Sequence, residues 1–267
     1  MDRARSPAVA GSFYPSAPDE LRQALANCFD VHPLGPGQIA PGQTKPAVAF
    51  RAGMVPHAGY IYSGPCAAHW YSNLDPAAER VILLGVNHSS RGPRAALSPW
   101  PVWQTPLGVV PVDLSFNEVL KKQVQFLSAD ESAHLEEHSI EVQLPFLERV
   151  LTDFWIVPIS LSLVDLAECA DLGAAIAAAS QSEPAVQRKT CILASSDLSH
   201  YLSPEETDVL DDAALEPIIA LDPAGLLKVV HEKKITMCGA LPTAVMLYAA
   251  KALGASHARL LKHYHSG

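Results

Sequence analysis

The ten residues VILLGVNHSS (81–90) predict the class of the fold. The unbroken run at 81–86 is typical of a strand buried on both faces, as in a parallel sheet covered by helices on each side. His88 follows this run directly, and a second mainly apolar run at 47–55 is followed in the same way by His57. Ligands bind beyond the carboxyl ends of strands in open α/β sheets, so we expect both histidines at one edge of the sheet.

The rest of the chain alternates between strand and helix patterns. Further strands are predicted at 154–160 and 191–194, a loop at 31–46 and an extended, hairpin-like stretch at 92–113. This alternation indicates an α/β protein with a central, mainly parallel sheet flanked by helices. The predicted helices cover residues 19–29, a short segment ending near 73, 139–151, the stretch from the cap Asp165 to about 179, a segment opened by a capping box at Ser203, 225–234, and 241–253.

Length and charge restrict the functional classes. A chain of 267 residues is close to the upper size for one hydrophobic core, so one large domain or two closely fused halves both fit. A formal net charge of −9 argues against nucleic acid and anionic membranes as partners. No apolar run approaches the ~20 residues of a membrane span, and the first fifteen residues lack the apolar segment of a secretory signal.

The five cysteines are widely spaced and form no CxxC pair, which is typical of a reduced, cytoplasmic protein. Cys238 differs from the others, because it lies in a short loop just before a predicted helix, where backbone N–H groups lower the pKa of a thiol. We assign the remaining four to the core as small apolar side chains. These are Cys28, Cys66, Cys169 and Cys191.

Several side chains of metal-ligand type are predicted to reach the same edge. The strand at 191–194 is followed by SSDLSHY, which brings Asp197 and His200 beside His57 and His88. Burying such groups without partners costs ~2–7 kcal/mol each, so packing alone explains them poorly. Two histidines and a thiol suit a soft or borderline transition metal. From the residues alone, a shared site and separate hydrogen-bonding roles in loops both stay open.

The string HLEEH (134–138) matches the HxxEH pattern of inverted zinc peptidases. That chemistry requires both histidines on one helix face, whereas the polar segment here has no apolar stripe before Ile140. We therefore expect a loop running into a helix start, with His134 not a ligand. Glu136, Glu137 and Glu141 are interpreted as favourable charge at a helix N-terminus.

Six segments in this order resemble the Memo family, the B component of the AMMECR–Memo–radical-SAM gene set. They are AGSFYP (10–15), VPHAGYIYSGPCAAHWY (55–71), ILLGVNHS (82–89), EHSIEVQLPFL (137–147), SSDLSHY (195–201) and CGALPTAVML (238–247). The resemblance implies a single domain over residues 1–267 with a fold like the class III extradiol dioxygenases. Members usually continue past LLKHYHSG into a final strand, so we expect either a shortened chain or a missing edge strand.

The resemblance also implies a site. The metal ligands would be His57, His88 and Cys238, with the cysteine replacing the carboxylate of the dioxygenases. One transition metal ion is expected, iron or copper, with zinc also possible. The implied activity is O2-dependent redox chemistry on a small aromatic or heteroaromatic compound, with an AMMECR-type protein as a possible partner. The alternative is a non-catalytic protein that handles metal or binds a partner.

The resemblance assigns further residues around the metal. His200, Asp197 and His138 are expected in catalysis, His200 or His138 as a proton shuttle and Asp197 as an acceptor that fixes a histidine. Three other residues are expected to contact the substrate, although a core role for Phe13 is equally open. These are Phe13, Tyr14 and Glu141.

Overall fold

The structure is a computed structural model that describes residues 3–37, 51–182 and 188–266. Its strands form a six-stranded sheet and a separate two-stranded hairpin. The strands of the large sheet are β1 (Ala52–Val55), β2 (Arg80–Val86), β3 (Ala95–Leu97), β6 (Leu127–Ala129), β7 (Trp155–Leu161) and β8 (Thr190–Ser195), and the hairpin consists of β4 (Val102–Thr105) and β5 (Gly108–Pro111).

The order of strands in the large sheet is β1-β8-β2-β7-β3-β6. Every neighbouring pair is parallel except β3 and β7, which are antiparallel. The predicted α/β class with a mainly parallel sheet is therefore confirmed. Because β1, β8, β2 and β7 run the same way, the loops that follow them all leave the sheet at one edge.

Helices cover both faces of the sheet. In β2, Val81 and Leu83 pack into one buried cluster, whereas Ile82 and Leu84 pack into another. This two-residue alternation places one cluster on each face of a strand, which explains the continuous apolar run. The helices are α1 (Pro18–Ala26), α2 (Tyr60–Tyr71), α3 (Leu114–Gln123), α4 (Ser132–Leu135), α5 (Leu144–Val150), α6 (Leu166–Ser182), α7 (Pro204–Ile219), α8 (Pro223–Glu232) and α9 (Ala240–Ala252).

The N-terminal caps predicted for three helices are present as side-chain hydrogen bonds. At α7, Ser203 accepts from the backbone N–H of Glu206 while the Glu206 carboxylate accepts from that of Ser203, which is a capping box. At α6, the side chain of Asp165 accepts from the Glu168 N–H at 2.9 Å. At α8, Asp222 accepts from the Gly225 N–H at 2.9 Å. These caps satisfy backbone donors that the first turn of a helix leaves free.

Some predicted boundaries were wrong. The helix predicted at 139–151 begins only at Leu144, after a 3-10 turn at Glu141–Gln143. The Ser139 hydroxyl holds its segment against the end of β2, because it bonds both the N–H and the carbonyl of Val86. Within the stretch 92–113, β4 and β5 form the predicted hairpin, but β3 joins the large sheet. Sequence patterns missed α3, α4 and β6.

Two sequence-based assignments lie partly outside the described residues. Most of the predicted loop at 31–46 and residues 47–50 of the first predicted strand fall in the range 38–50, which the structure does not describe. Where the description resumes, β1 forms as expected. Among the described helices, none combines the length and the apolar composition that crossing a bilayer requires.

The cysteines are all free thiols. Cys28, Cys169 and Cys191 are buried in the core as predicted. Cys66 is only half-buried, because the helix α2 presents it to the carboxy-terminal segment, where its thiol lies 3.5 Å from the Lys262 carbonyl oxygen. Its assignment to the core was therefore only partly right. Burial raises the pKa of the Cys66 thiol to about 11, so it is a poor ligand near neutral pH.

Candidate metal centre

Three donor side chains meet at the carboxyl edge of the sheet. His57 follows β1, His88 follows β2, and Cys238 lies in the loop before α9. One donor atom from each lies within 4.8 Å of the others, and Cys238 Sγ is 3.2 Å from His57 Nε2. The structure thus brings together the residues that sequence analysis names as ligands, in a group that can hold a metal ion.

His57 is held from two sides and is almost fully buried. Its backbone N–H donates to Asp197 Oδ1 at 2.8 Å, which ties the loop after β1 to the loop after β8. Its ring nitrogen Nδ1 lies 3.0 Å from the hydroxyl of Ser195, the last residue of β8. The other ring nitrogen, Nε2, therefore faces the Cys238 sulfur.

His88 is oriented by the buried carboxylate of Glu137. Nδ1 of His88 lies 3.0 Å from Glu137 Oε1, and the His88 backbone N–H donates to Oε2 at 2.8 Å. A carboxylate can only accept, so the ring donates from Nδ1, and Nε2 is the nitrogen that would bind a metal. Burial alone would raise the pKa of Glu137, but the hydrogen bond and charge of His88 and the N–H groups of Ser139 and His88 lower it to about 2.

Sequence reasoning missed this role of Glu137. The interpretation as charge at a helix N-terminus was wrong in its physical reason, since no helix begins until the 3-10 turn at Glu141–Gln143. The sequence feature that could have indicated this role is the position of Glu137 as the first residue of the EHSIE segment (137–141). The charge instead serves His88, in the way that carboxylates commonly orient metal-binding histidines.

The Cys238 thiol is poised to be a thiolate. Burial favours the neutral thiol, but hydrogen bonds to His57 and His88 and the charge of His57 outweigh it and lower the pKa of Cys238 to about 6. A thiolate is the form that binds metals. The next residue must be glycine, because an added Cβ at Gly239 would lie 2.4 Å from Ser196 Cβ and 2.6 Å from the Ser195 carbonyl oxygen.

His138 lies over the donor group. Its ring stacks on His88 with 4.6 Å between centroids and an 18° interplanar angle, and it meets His57 edge-on at 5.4 Å. The half-buried Phe13 ring lies 4.6 Å from His138. Burial, with further contributions from His57 and His88, lowers the pKa of His138 to about 4, so the ring is neutral near pH 7.

Asp197 and His200 also lie near the Cys238 sulfur. One donor atom each from Asp197, His200 and Cys238 lies within 4.8 Å of the others. Nδ1 of His200 lies 2.8 Å from the Thr236 carbonyl oxygen, which can only accept, so this nitrogen carries the proton. Nε2 of His200 is therefore unprotonated in the neutral ring, and it lies 3.9 Å from Asp197 Oδ2.

A cavity of about 1190 Å³ lies near the centre, although none of the three donor residues lines it. Asp197 and His200 line it, together with Tyr62 and Cys66 from α2. Since Asp197 and His200 also lie next to Cys238, they connect the cavity to the donor group. The volume is ample for a small aromatic compound.

Tyr14 and Glu141 lie in a different buried network. The Glu141 carboxylate accepts from the backbone N–H groups of Ala8 and Val9 at 2.8 and 2.9 Å and from the Tyr14 hydroxyl at 2.6 Å. It is also paired with Arg5, and both of these charged side chains are fully buried. Through these contacts Tyr14 and Glu141 anchor the amino-terminal segment. Their assignment to substrate contact stays a prediction.

His134 lies away from the donor group. Its Nε2 is 3.1 Å from the Ala96 carbonyl oxygen, and its ring meets Trp103 edge-on at 5.7 Å. Among the residues that the structure describes, no potential ligand group includes His134. The helix α4 ends at Leu135, so His134 and His138 do not share a helix face, as the peptidase pattern would require.

Acid is expected to destabilise the fold through His134. Burial lowers the pKa of His134 from 6.5 to about 4. Between these two pH values the ring is protonated in the unfolded chain but neutral in the folded chain. Stability from the neutral ring is present above the unfolded pKa and is lost as pH falls toward 4, by roughly 3 kcal/mol when complete. Urea unfolding at about pH 7.5 and about pH 4.5 would measure this change.

The control is His134→Gln, which keeps a donor for Ala96 and cannot titrate. Its free energy of unfolding should fall less on acidification than that of the wild type, since His138 titrates equally in both proteins. Identical pH dependence in the two would contradict the assignment. Metal content should be unchanged in His134→Ala, because the ring is not a ligand.

The sequence profile of a family described as Memo-like protein matches residues 5–267. The chain belongs to the Memo family. It is 41% identical to a MEMO1 family protein of Methanopyrus kandleri, over 98% of this chain and 92% of that protein. It is 43% identical to one of Ignicoccus hospitalis over the same shares, and 43% identical to one of Saccharolobus islandicus over 98% and 93%. Membership of the Memo family confirms the resemblance noted in the sequence.

Proposed function

We propose that this protein is a metal-dependent oxidoreductase that uses O2 to transform a small aromatic or heteroaromatic compound. The observation that carries the proposal is the convergence of His57, His88 and Cys238 within 4.8 Å. Asp197 and His200, which lie next to Cys238, also line a cavity of about 1190 Å³. Both histidines are held through Nδ1, so Nε2 is the nitrogen of each ring that would bind a metal.

The donor chemistry fits a redox-active transition metal. Two imidazole nitrogens and a thiolate are ligands for iron or copper, and zinc would also be accepted. His57, His88 and Cys238 would hold the ion, with Glu137 and Ser195 supporting the two rings from behind. When bound, iron or copper would supply the one-electron chemistry that reactions of O2 require.

The residues on the cavity side would bind the substrate and move protons. His200 Nε2 would accept the proton of a substrate hydroxyl, because its Nδ1 is already committed to the Thr236 carbonyl. Asp197 would hold the loop that carries His57. Its other carboxylate oxygen would lie near the proton that His200 Nε2 takes up. The neutral His138 ring and Phe13 would form an aromatic wall over the centre and exclude water.

Location and partner follow from the same proposal. Five free thiols suit the reducing cytoplasm, where we place the protein. An AMMECR-type protein is a candidate to supply or receive the compound, given the gene set of the family. A small-molecule substrate is the primary partner, with neither nucleic acid nor membrane involved.

O2 uptake would test the function. The wild-type protein, purified anaerobically and loaded with Fe(II) or Cu(I), is mixed with a panel of catechols and hydroxylated heteroaromatics. We expect uptake that depends on the compound and is lost in Cys238→Ser. Metal bound tightly without compound-dependent uptake would favour the alternative, a non-catalytic protein that handles metal or binds a partner.

A further inference from the structure

We infer that Ser195 and Gln143 are positioning residues that determine which ring nitrogen of His57 faces the metal. The inference rests on the proposed metal centre but not on its redox activity. It follows from a chain of buried hydrogen bonds running from Tyr71 to His57, in which each donor and acceptor is fixed by its neighbour.

The orientation of the Gln143 amide is fixed at both ends. Its Nε2 lies 2.9 Å from the Pro56 carbonyl oxygen, which can only accept, so this atom is the NH2 group. Its Oε1 accepts from the Tyr71 hydroxyl at 2.7 Å. The second amide hydrogen of Gln143 donates to Ser195 Oγ at 2.8 Å.

The single hydrogen of the Ser195 hydroxyl is also committed. Oγ of Ser195 donates to the Ser139 carbonyl oxygen at 2.6 Å, and that oxygen can only accept. With its hydrogen used there and the Gln143 amide donating to it, Ser195 Oγ can only accept from a third group. Ser195, Gln143 and Ser139 are all buried.

The third group is Nδ1 of His57, at 3.0 Å. This nitrogen must therefore carry a hydrogen, which leaves the lone pair of the neutral ring on Nε2. Nε2 is the atom that lies 3.2 Å from Cys238 Sγ. The neutral chain from Tyr71 through Gln143 and Ser195 thus presents His57 to the metal in one tautomer.

The two histidine ligands are consequently held by different chemistry. Glu137, a buried carboxylate, accepts from His88, whereas an uncharged hydroxyl accepts from His57. An imidazole that donates its Nδ1–H to a carboxylate binds a metal through Nε2 more strongly than one that donates to a hydroxyl. The two ligands therefore donate unequally, and the weaker one depends on the aligned Ser195 hydroxyl for its tautomer.

The test uses Zn²⁺, which has no redox chemistry. Ser195→Ala removes the acceptor and is expected to weaken zinc binding ~10–100-fold, measured by competition with a chromophoric chelator. Gln143→Met leaves the bond from Ser195 to Ser139 and should cost less than ~10-fold. The matched control is Ser160→Ala, which removes the hydroxyl of another buried serine, at the end of β7, and should bind zinc like the wild type.

A spectroscopic readout separates positioning from general loss of structure. In zinc-loaded wild type, long-range ¹H–¹⁵N correlation of the imidazoles should show a protected proton on Nδ1 of His57 and zinc on Nε2. In Ser195→Ala that proton should exchange rapidly with water or be absent. If Ser195→Ala does not fold, the position of the His57 ring proton in the wild-type spectrum still decides the inference.

Two outcomes would overturn it. One is a proton on Nε2 of His57 in the wild type, and the other is unchanged zinc affinity with an unchanged Nδ1 proton in Ser195→Ala. A wild type that binds no zinc would contradict the metal centre and this inference with it. The expected zinc results without any O2 uptake in the iron or copper form would contradict only the proposed activity.

Discussion

Replacing His200 with alanine is expected to slow O2-dependent turnover by ~10²–10⁴-fold while leaving the metal bound. The ring donates from Nδ1 to the Thr236 carbonyl at 2.8 Å, which leaves Nε2 as the atom that can take a proton. Three other side chains form a group that could hold the ion, so removing this ring should leave it in place. Metal content and steady-state O2 uptake on the same preparation measure both effects.

A second histidine provides the control for His200→Ala. His257 also lines the cavity and is exposed, and its Nδ1 lies 3.2 Å from the hydroxyl of its neighbour Ser256. His257→Ala should therefore turn over like the wild type. Loss of metal in His200→Ala would make His200 a ligand, as its grouping with Asp197 and Cys238 allows, and full activity would remove it from the mechanism.

The largest expected effect on stability is at Arg5. Its guanidinium is fully buried, pairs with Glu141, and donates to the carbonyl oxygens of His134 at 2.9 Å and Glu137 at 2.7 Å. It also lies over the Trp103 ring, 4.2 Å from the centroid. Arg5→Met leaves the Glu141 carboxylate buried without its counter-charge, which is expected to lower the free energy of unfolding by ~3–5 kcal/mol.

Denaturant unfolding compares this variant with a matched one. Arg3 also pairs with a glutamate, Glu131, but both of those side chains are largely exposed. Arg3→Met should therefore cost at most ~1 kcal/mol. The double variant Arg5→Met with Glu141→Gln should lose less than the sum of the single losses, because no unpaired charge is then buried. Equal losses in Arg3→Met and Arg5→Met would contradict the assigned role of the buried pair.

The parts of the fold that the sequence predicts are those with strong local patterns. The run at 81–86 forms β2 because both faces of the strand are buried, and the capping box at Ser203 opens α7 as expected. The missed strand β6, and β3, whose place in the large sheet was not predicted, have three residues each. Such short strands depend on their partners across the sheet, which a local pattern does not contain.

The same distinction applies to the site. His57 and His88 could be placed at one edge because each follows an apolar strand, and parallel strands end together. Glu137 and Ser195 could not be assigned, because their roles depend on contacts between residues 49 and 138 positions apart. Glu141 has its charge satisfied by Arg5, which is 136 positions away. Long-range pairing of polar groups is a tertiary property.

The most direct test of the metal centre is elemental analysis of anaerobically purified, reduced protein in three forms: wild type, Cys238→Ser and Cys66→Ser. A hydroxyl is a poor substitute for the Cys238 thiolate, whereas Cys66 lies in α2 outside the donor group. The account predicts near-stoichiometric iron or copper in wild type and Cys66→Ser, and a sharp loss in Cys238→Ser. Equal metal content in the two serine variants would contradict it.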